Sequence, residues 1–210
     1  MILHGGIVMR HFVKSGLILI IILLFSLSVK TDVDPDLLLY LDFNEGQGDT
    51  LKDLSGNGHD AVIHGKSPVW EAGKFGPAIY FNGEDNYGEI QRTDALTFGE
   101  DTEFTVMAWI KTEFEPPENI GILTNYKEQT TPFWNICIRR EPVGIIRFQF
   151  RDVDGNIVRA TSPDPINDGQ WHHIAGVRDL DADTARLYVD GKLMEEVKDT
   201  SSFWPGPYLT

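Results

Sequence analysis

FTVMAWIK, residues 104–111, decides the fold. Phe104, Val106, Ala108 and Ile110 fall on one side of an extended chain, and Thr105, Met107, Trp109 and Lys111 on the other. Successive side chains of a strand leave on opposite faces, so this period of two marks a strand with one face in a core. IRFQFR (146–151) repeats the pattern, with Ile146, Phe148 and Phe150 set against Arg147, Gln149 and Arg151. ARLYVD (185–190) does so again, placing Leu187 and Val189 opposite Arg186, Tyr188 and Asp190.

The segments between the strands agree. Asp154-Gly155 and Asp190-Gly191 each separate two β-runs, and Asp-Gly accepts the positive φ angles of a type I′ turn, so both predict hairpins. No window after residue 36 carries a 3.6-residue apolar stripe of helical length. Many short antiparallel strands in one chain predict an all-β fold, an antiparallel β-sandwich or jelly roll.

Charge narrows the partners. Residues 1–30 hold Arg10, Lys14 and Lys30 and no acid, which leaves 15 basic and 32 acidic residues after them, a net of −17. Such a domain repels phosphate backbones, so nucleic acid is excluded as a partner. Cys137 is the single cysteine, so no intramolecular disulfide forms, and its apolar neighbours in WNICIR read as a packed thiol.

The N-terminus reads as an address. GLILIIILLFSLSV (16–29) is an apolar run of fourteen residues behind Arg10, His11 and Lys14, a basic region followed by a hydrophobic segment of signal-peptide length. The domain reading is therefore 1–30 a signal peptide or signal anchor, 31–36 a short linker, and 37–210 one β domain. Cleavage is expected after Ser28, and Met9 offers an alternative start. Export places the protein outside the cell, at the cell surface or in a periplasm, with membrane contact only through an uncleaved N-terminal segment.

The order of the segments carries a resemblance. YLDFNEGQGDTLKDLSGNGHDA, KFGPAIYFNGEDNYGEI, FTVMAWIK, INDGQWHHIAGVRD and ARLYVDGKL follow one another over residues 37–205. In this order they resemble the laminin-G-like jelly-roll domain of the concanavalin A-like lectin/glucanase superfamily. The resemblance implies two stacked antiparallel sheets, one of them concave. It also implies a closing strand beyond the VDGK hairpin, whereas this sequence stops at SSFWPGPYLT and so reads as truncated.

Within DLSGNGHDA (53–61), Asp53, Ser55, Asn57 and Gly58 match the head of a calcium loop, D-x-[DNS]-x-[DN]-G. The carbonyl of His59 adds an oxygen. The bidentate glutamate expected at the twelfth position is replaced by His64, which excludes an EF-hand. In domains of the kind resembled, calcium is held near the chain ends by several segments, and Asp42 and Glu45 in LDFNEG are then further ligands. The same residues also read as a bare turn, with Asp53 and Asn57 bonded to their own backbone, and both readings stand at this point.

Catalysis finds no support in the sequence. No E-x-D carboxylate arrangement, no G-x-S-x-G elbow and no H-E-x-x-H motif occurs. Binding is the remaining class: a non-catalytic module for carbohydrate or an extracellular protein ligand. The alternative is a structural or adhesive module of a larger surface protein, and a glycan-active enzyme comes third. Aromatic faces stack on sugars and polar groups grip hydroxyls, so the candidate ligand-binding residues are Tyr87, Tyr126, Trp134, Arg139, Arg147 and Gln149. Trp134 falls in phase with Ile136 and Ile138, which also suits the core.

Overall fold

A computed structural model describes residues 2–10 (backbone only), 34–91, 93–96, 98, 102–125 and 133–201. The strands are β1 (Ile2–Arg10), β2 (Leu37–Leu41), β3 (Thr50–Leu51), β4 (Ala61–His64), β5 (Val69–Ala72), β6 (Pro77–Tyr80) and β7 (Tyr87–Ile90). A 3-10 turn, Asp94–Leu96, precedes β8 (Phe104–Lys111), β9 (Ile120–Thr124), β10 (Phe133–Ile138), β11 (Ile146–Arg151) and β12 (Ile157–Thr161). The last three are β13 (Trp171–Asp179), β14 (Thr184–Val189) and β15 (Lys192–Lys198).

These strands form an eight-stranded sheet in the order β15-β14-β13-β8-β1-β6-β5, with β2 also on β1, a four-stranded sheet β12-β11-β10-β9, and a three-stranded sheet β3-β4-β7. Every pairing is antiparallel.

The expected alternation holds strand by strand. Phe104, Val106, Ala108 and Ile110 of β8 are buried, as are Ile174 of β13 and Ala185, Leu187 and Val189 of β14. They join one core with Trp134, Ile136 and Ile138 of β10, Ile146, Phe148 and Phe150 of β11, and Val158 and Ala160 of β12. Phe104 meets Phe148 edge to face at 6.0 Å and stacks on Phe98 at 4.3 Å, arrangements that aromatic quadrupoles favour. Gly176 of β13 leaves room for this packing: a Cβ there would lie 2.5 Å from Cδ2 of Phe148.

The two predicted hairpins differ. At Asp190-Gly191 both residues have positive φ, 51° and 74°, as a type I′ turn requires. At Asp154-Gly155 only Gly155 does, at 91°, so this hairpin is not type I′. Its loop is wider because Asp152 takes it over: its Oδ1 accepts from the Asn156 backbone N–H, and its Oδ2 from the Asn156 side-chain amide, both at 2.8 Å. A buried carboxylate satisfied by a partner four residues on fixes the longer loop.

Residues 2–10, which the sequence places at the head of a leader, run as β1 between β8 and the β2/β6 edge. The pairing with β8 is irregular, His4 facing Trp109 and Val8 facing Met107, so Gly5, Gly6 and Ile7 sit opposite one residue. The apolar run 16–29, the cleavage position after Ser28 and residues 31–33 of the linker lie outside the described residues, as do residues 202–210. Among the described residues, no helix is long and apolar enough to cross a membrane.

Candidate functional site

The DLSGNGHDA turn is built around the Asp53 carboxylate, whose side chain is 0 % exposed. Its Oδ1 accepts the backbone N–H of Tyr40 at 3.0 Å and of Ser55 at 2.9 Å. Its Oδ2 accepts the backbone N–H of His59 at 2.9 Å and lies 2.8 Å from the Ser55 hydroxyl. Burial works to raise this carboxyl's pKa, but the hydrogen bonds from His59, Ser55 and Tyr40 prevail and hold it below the ordinary aspartate range. The Asn57 amide nitrogen points at the carbonyls of Leu37 and Leu38. His59 Nδ1 lies 2.9 Å from the Leu38 carbonyl and Nε2 3.1 Å from the Thr93 hydroxyl. An isolated bridge between Leu41 and Asp53 completes the junction.

This donor set does not fit a calcium ion. Calcium takes six to eight oxygens in a shell. Here the Asp53 oxygens already face N–H and O–H donors, and Asn57 presents nitrogen. Asp42 receives the backbone and side-chain nitrogens of Asn44, and Glu45 Oε1 receives the Lys52 N–H at 2.7 Å, which leaves Glu45 Oε2 as a lone buried acceptor. Among the described residues, no group of three His, Cys, Asp or Glu side chains is placed to hold a metal. As arranged, the loop ties β2 to the β3–β4 region.

The second candidate is the outward face of the four-stranded sheet. Cross-strand pairing puts Asn135 opposite Gln149, Gln149 opposite Arg159, Cys137 opposite Arg147, and Arg147 opposite Thr161. Arg139 stands one residue past β10 in the phase of Cys137, and Arg151 shares the phase of Arg147. Arg147 is thus flanked by Arg139 on one neighbouring strand and Arg159 on the other. Burial, then the positive charges of Arg139 and Arg159, lower its pKa below the usual guanidinium value. The Nε atoms of Arg139, Arg147 and Arg151 are buried without a hydrogen-bond partner, and so is Asn135 Oδ1. Arg159 Nε donates to Gln149 Oε1 at 3.3 Å. Cys137 lies beneath them; burial pushes its thiol pKa up, with Arg147, Arg139 and Arg159 pulling the other way.

The structure thus brings Arg139, Arg147 and Gln149 together on one face and separates them from the aromatic candidates. Trp134, 2 % exposed, turns to the opposite side and packs against Phe98 and Phe104. Tyr87 belongs to the three-stranded sheet, where it is 56 % exposed and stacks on His64 at 5.1 Å. Tyr126 lies outside the described residues. Asn135 and Arg159 were missed by sequence reasoning because only register brings them beside Gln149. Trp109, on the face of β8 opposite the core residues, has Lys74 Nζ 4.3 Å from its ring centre.

The comparisons with known proteins place this fold. A family model described as the concanavalin A-like lectin/glucanases superfamily, Laminin_G_3, matches residues 81–208. A non-toxic nonhemagglutinin of Paraclostridium bifermentans is 22% identical over 169 residues, which are 80% of this chain and 14% of that protein. Among solved structures, the botulinum neurotoxin serotype G binding domain superposes with a TM-score of 0.61 at 18% identity, over 80% of this chain and 41% of that one. The binding domain of Paraclostridial Mosquitocidal Protein 1 gives 0.58 at 18% identity, over 79% and 42%. The receptor binding domain of botulinum neurotoxin D gives 0.54 at 14% identity, over 78% and 43%. The chain therefore spans a small part of the curated relative and less than half of each solved domain. These three solved relatives are binding domains by name, and at 14–18% identity they share the fold of this chain. Through the match over residues 81–208, the chain belongs to the laminin-G-like Laminin_G_3 family of the concanavalin A-like lectin/glucanases superfamily.

Proposed function

We propose that this chain is an exported, non-catalytic binding module that takes a carbohydrate on the outward face of β9–β12. The observation that carries the reading is the set of unpaired polar atoms there: the Nε donors of Arg139, Arg147 and Arg151, and the Asn135 Oδ1 acceptor beside Gln149. Buried polar atoms are ordinarily satisfied, so donors and an acceptor left bare on one face suit a ligand that offers oxygens and hydroxyls. Export rests on the apolar run 16–29.

A second reading, a module that docks a protein receptor within a larger surface protein, is favoured by the names of the solved relatives. Binding of the folded chain to a broad glycan array, repeated with Gln149→Ala, separates the two. Glycan binding that falls with Gln149→Ala supports the carbohydrate reading. An array with no signal removes it and leaves the protein-receptor reading.

A further inference from the structure

Strand β1 closes the large sheet. In the strand order, β15, β14, β13 and β8 join β2, β6 and β5 through β1 alone. The slot it fills is one strand wide, about 9–10 Å between the flanking backbones. One wall is β8, the other is β2 and β6, and both run antiparallel to the occupant. Two facing strand edges of this kind form a template for an extended chain.

β1 fits the slot imperfectly. Ile2, Leu3 and His4 pair with Lys111, Ile110 and Trp109, and Val8, Met9 and Arg10 pair with Met107, Val106 and Thr105. Between these blocks, Gly5, Gly6 and Ile7 stand against Ala108 alone. On the other wall, Leu3 pairs with Ile79, and Ile7, Val8 and Met9 pair with Leu41, Tyr40 and Leu39. Extra residues interrupt a ladder, and glycine inside a strand weakens it. A strand without Gly5 and Gly6 keeps every one of these partners and gives Ala108 one on this side as well. Its alternation is then strict. The positions of Leu3, Ile7 and Met9 stand opposite the buried residues Ile110, Ala108 and Val106, with the positions of His4 and Val8 between them.

We propose that this slot is a strand-acceptor site: an extended segment of a partner protein adds there, antiparallel to β8, in place of β1. The walls state its chemistry. Every second residue is apolar, because Ile79, Leu39 and Leu41 are buried together with alternate residues of β8. No glycine or proline interrupts it, because its backbone N–H groups meet carbonyls on both sides. It ends in a basic residue, because Asp34 and Asp36 shortly precede Leu37, and Glu103 shortly precedes Thr105, in a chain of net charge −14. Cleavage after Ser28, expected from the sequence, empties the slot and exposes both walls. The site is separate from the β9–β12 face and does not rest on the carbohydrate reading.

The test starts from the folded full chain carrying a protease site inserted after Lys14, which is then cut. Labelled peptides compete for the slot: ILHGGIVMR, which is β1 itself, and ILHIVMR, which lacks Gly5 and Gly6. The shorter peptide should enter and bind at least about tenfold more tightly, as the loss of two interior glycines implies. Within it, Ile7→Pro should abolish binding by removing an N–H, and Arg10→Glu should weaken it. A peptide carrying Ile2→Cys should form a disulfide with a cut chain carrying Lys111→Cys, since opposed residues of an antiparallel pair lie within disulfide reach. Cys137, 4 % exposed, does not compete for it. The uptake measurements use the unsubstituted chain and stand even if Lys111→Cys fails to fold. Uptake of neither peptide would overturn the inference, as would undiminished binding of the Ile7→Pro peptide. Uptake without the disulfide in a folded Lys111→Cys chain would overturn the placement, and equal binding of the two lengths would overturn the unbulged occupant. Dimerisation of cut chains in place of peptide uptake would give the slot to a second copy and overturn the partner reading.

Discussion

Arg178 and Asp199 form an ion pair sealed inside the sandwich: Nε donates to Oδ2 at 2.8 Å, and each side chain is 3 % exposed. The guanidinium lies 5.3 Å from the Phe150 ring centre and also reaches the Ser201 hydroxyl at 3.2 Å. Asp199 Oδ1 accepts the Ser201 backbone N–H at 2.9 Å. The pair fastens the chain just beyond β15 to β13. Removing one member of such a pair strands a buried charge, whereas replacing both with apolar groups can be nearly neutral. Asp199→Ala should therefore cost about 3–5 kcal/mol in urea unfolding. The double variant Arg178→Met/Asp199→Leu should recover most of that loss. A single-variant cost below about 1 kcal/mol would show that the pair contributes little.

The Asp53 turn gives a second expectation. Its carboxylate already meets three backbone N–H donors, so its work is structural. Asp53→Ala should lower stability by about 2–4 kcal/mol, because buried N–H groups lose their acceptor. Thermal unfolding of the parent chain should be the same in calcium and in chelator. A calcium-dependent rise of several degrees that disappears in Asp53→Ala would restore the metal reading of DLSGNGHDA.

His172 sits between two aspartates, with Nδ1 2.8 Å from Asp190 Oδ2 and Nε2 3.1 Å from Asp168 Oδ1. Burial works to lower its pKa, but the hydrogen bonds to Asp190 and Asp168 prevail, and the net shift is upward from 6.5. A raised folded-state pKa means that the charged pair stabilises fully below the unfolded value and that this contribution fades as pH rises through the folded value. The gap in melting temperature between the parent and His172→Gln should be widest near about pH 5.5 and close by about pH 8.5. Neighbouring His173 runs the other way: burial lowers its pKa, so it weakens the fold as pH falls. The comparison must therefore be with the single variant, and a gap that widens toward alkaline pH would refute the assignment.

Strand β1 bears on the N-terminal reading. It is hydrogen-bonded on one side to β8 and on the other to β2 and β6. A chain of residues 31–210 loses those partners and leaves unpaired edges inside the large sheet. It should melt several degrees below the full chain and associate more readily, as light scattering would detect. Equal melting of the two would favour the leader reading for residues 1–30.

Much of this protein was local and therefore legible. Period-two alternation in FTVMAWIK, IRFQFR and ARLYVD fixed which side chains enter the core, because a strand turns alternate residues to opposite faces regardless of its partners. The Asp190-Gly191 turn was equally local, since its two positive φ angles depend on those two residues alone. Most of what remained hidden depended on contacts between distant segments, with one local side-chain bond as the exception. The width of the Asp154-Gly155 loop was decided by the Asp152 carboxylate bonding Asn156. The choice between a cation loop and a turn at Asp53 was decided by where the Tyr40 and His59 N–H groups point. The binding face was half visible: alternation set Arg147, Gln149 and Arg151 on the outward side, but Arg159 and Asn135 reached them through register across three strands. Sequence alone determined the strands, their buried faces and the family pattern. Tertiary structure decided which charges meet, because sheet register is set by contacts between segments that are far apart in the chain.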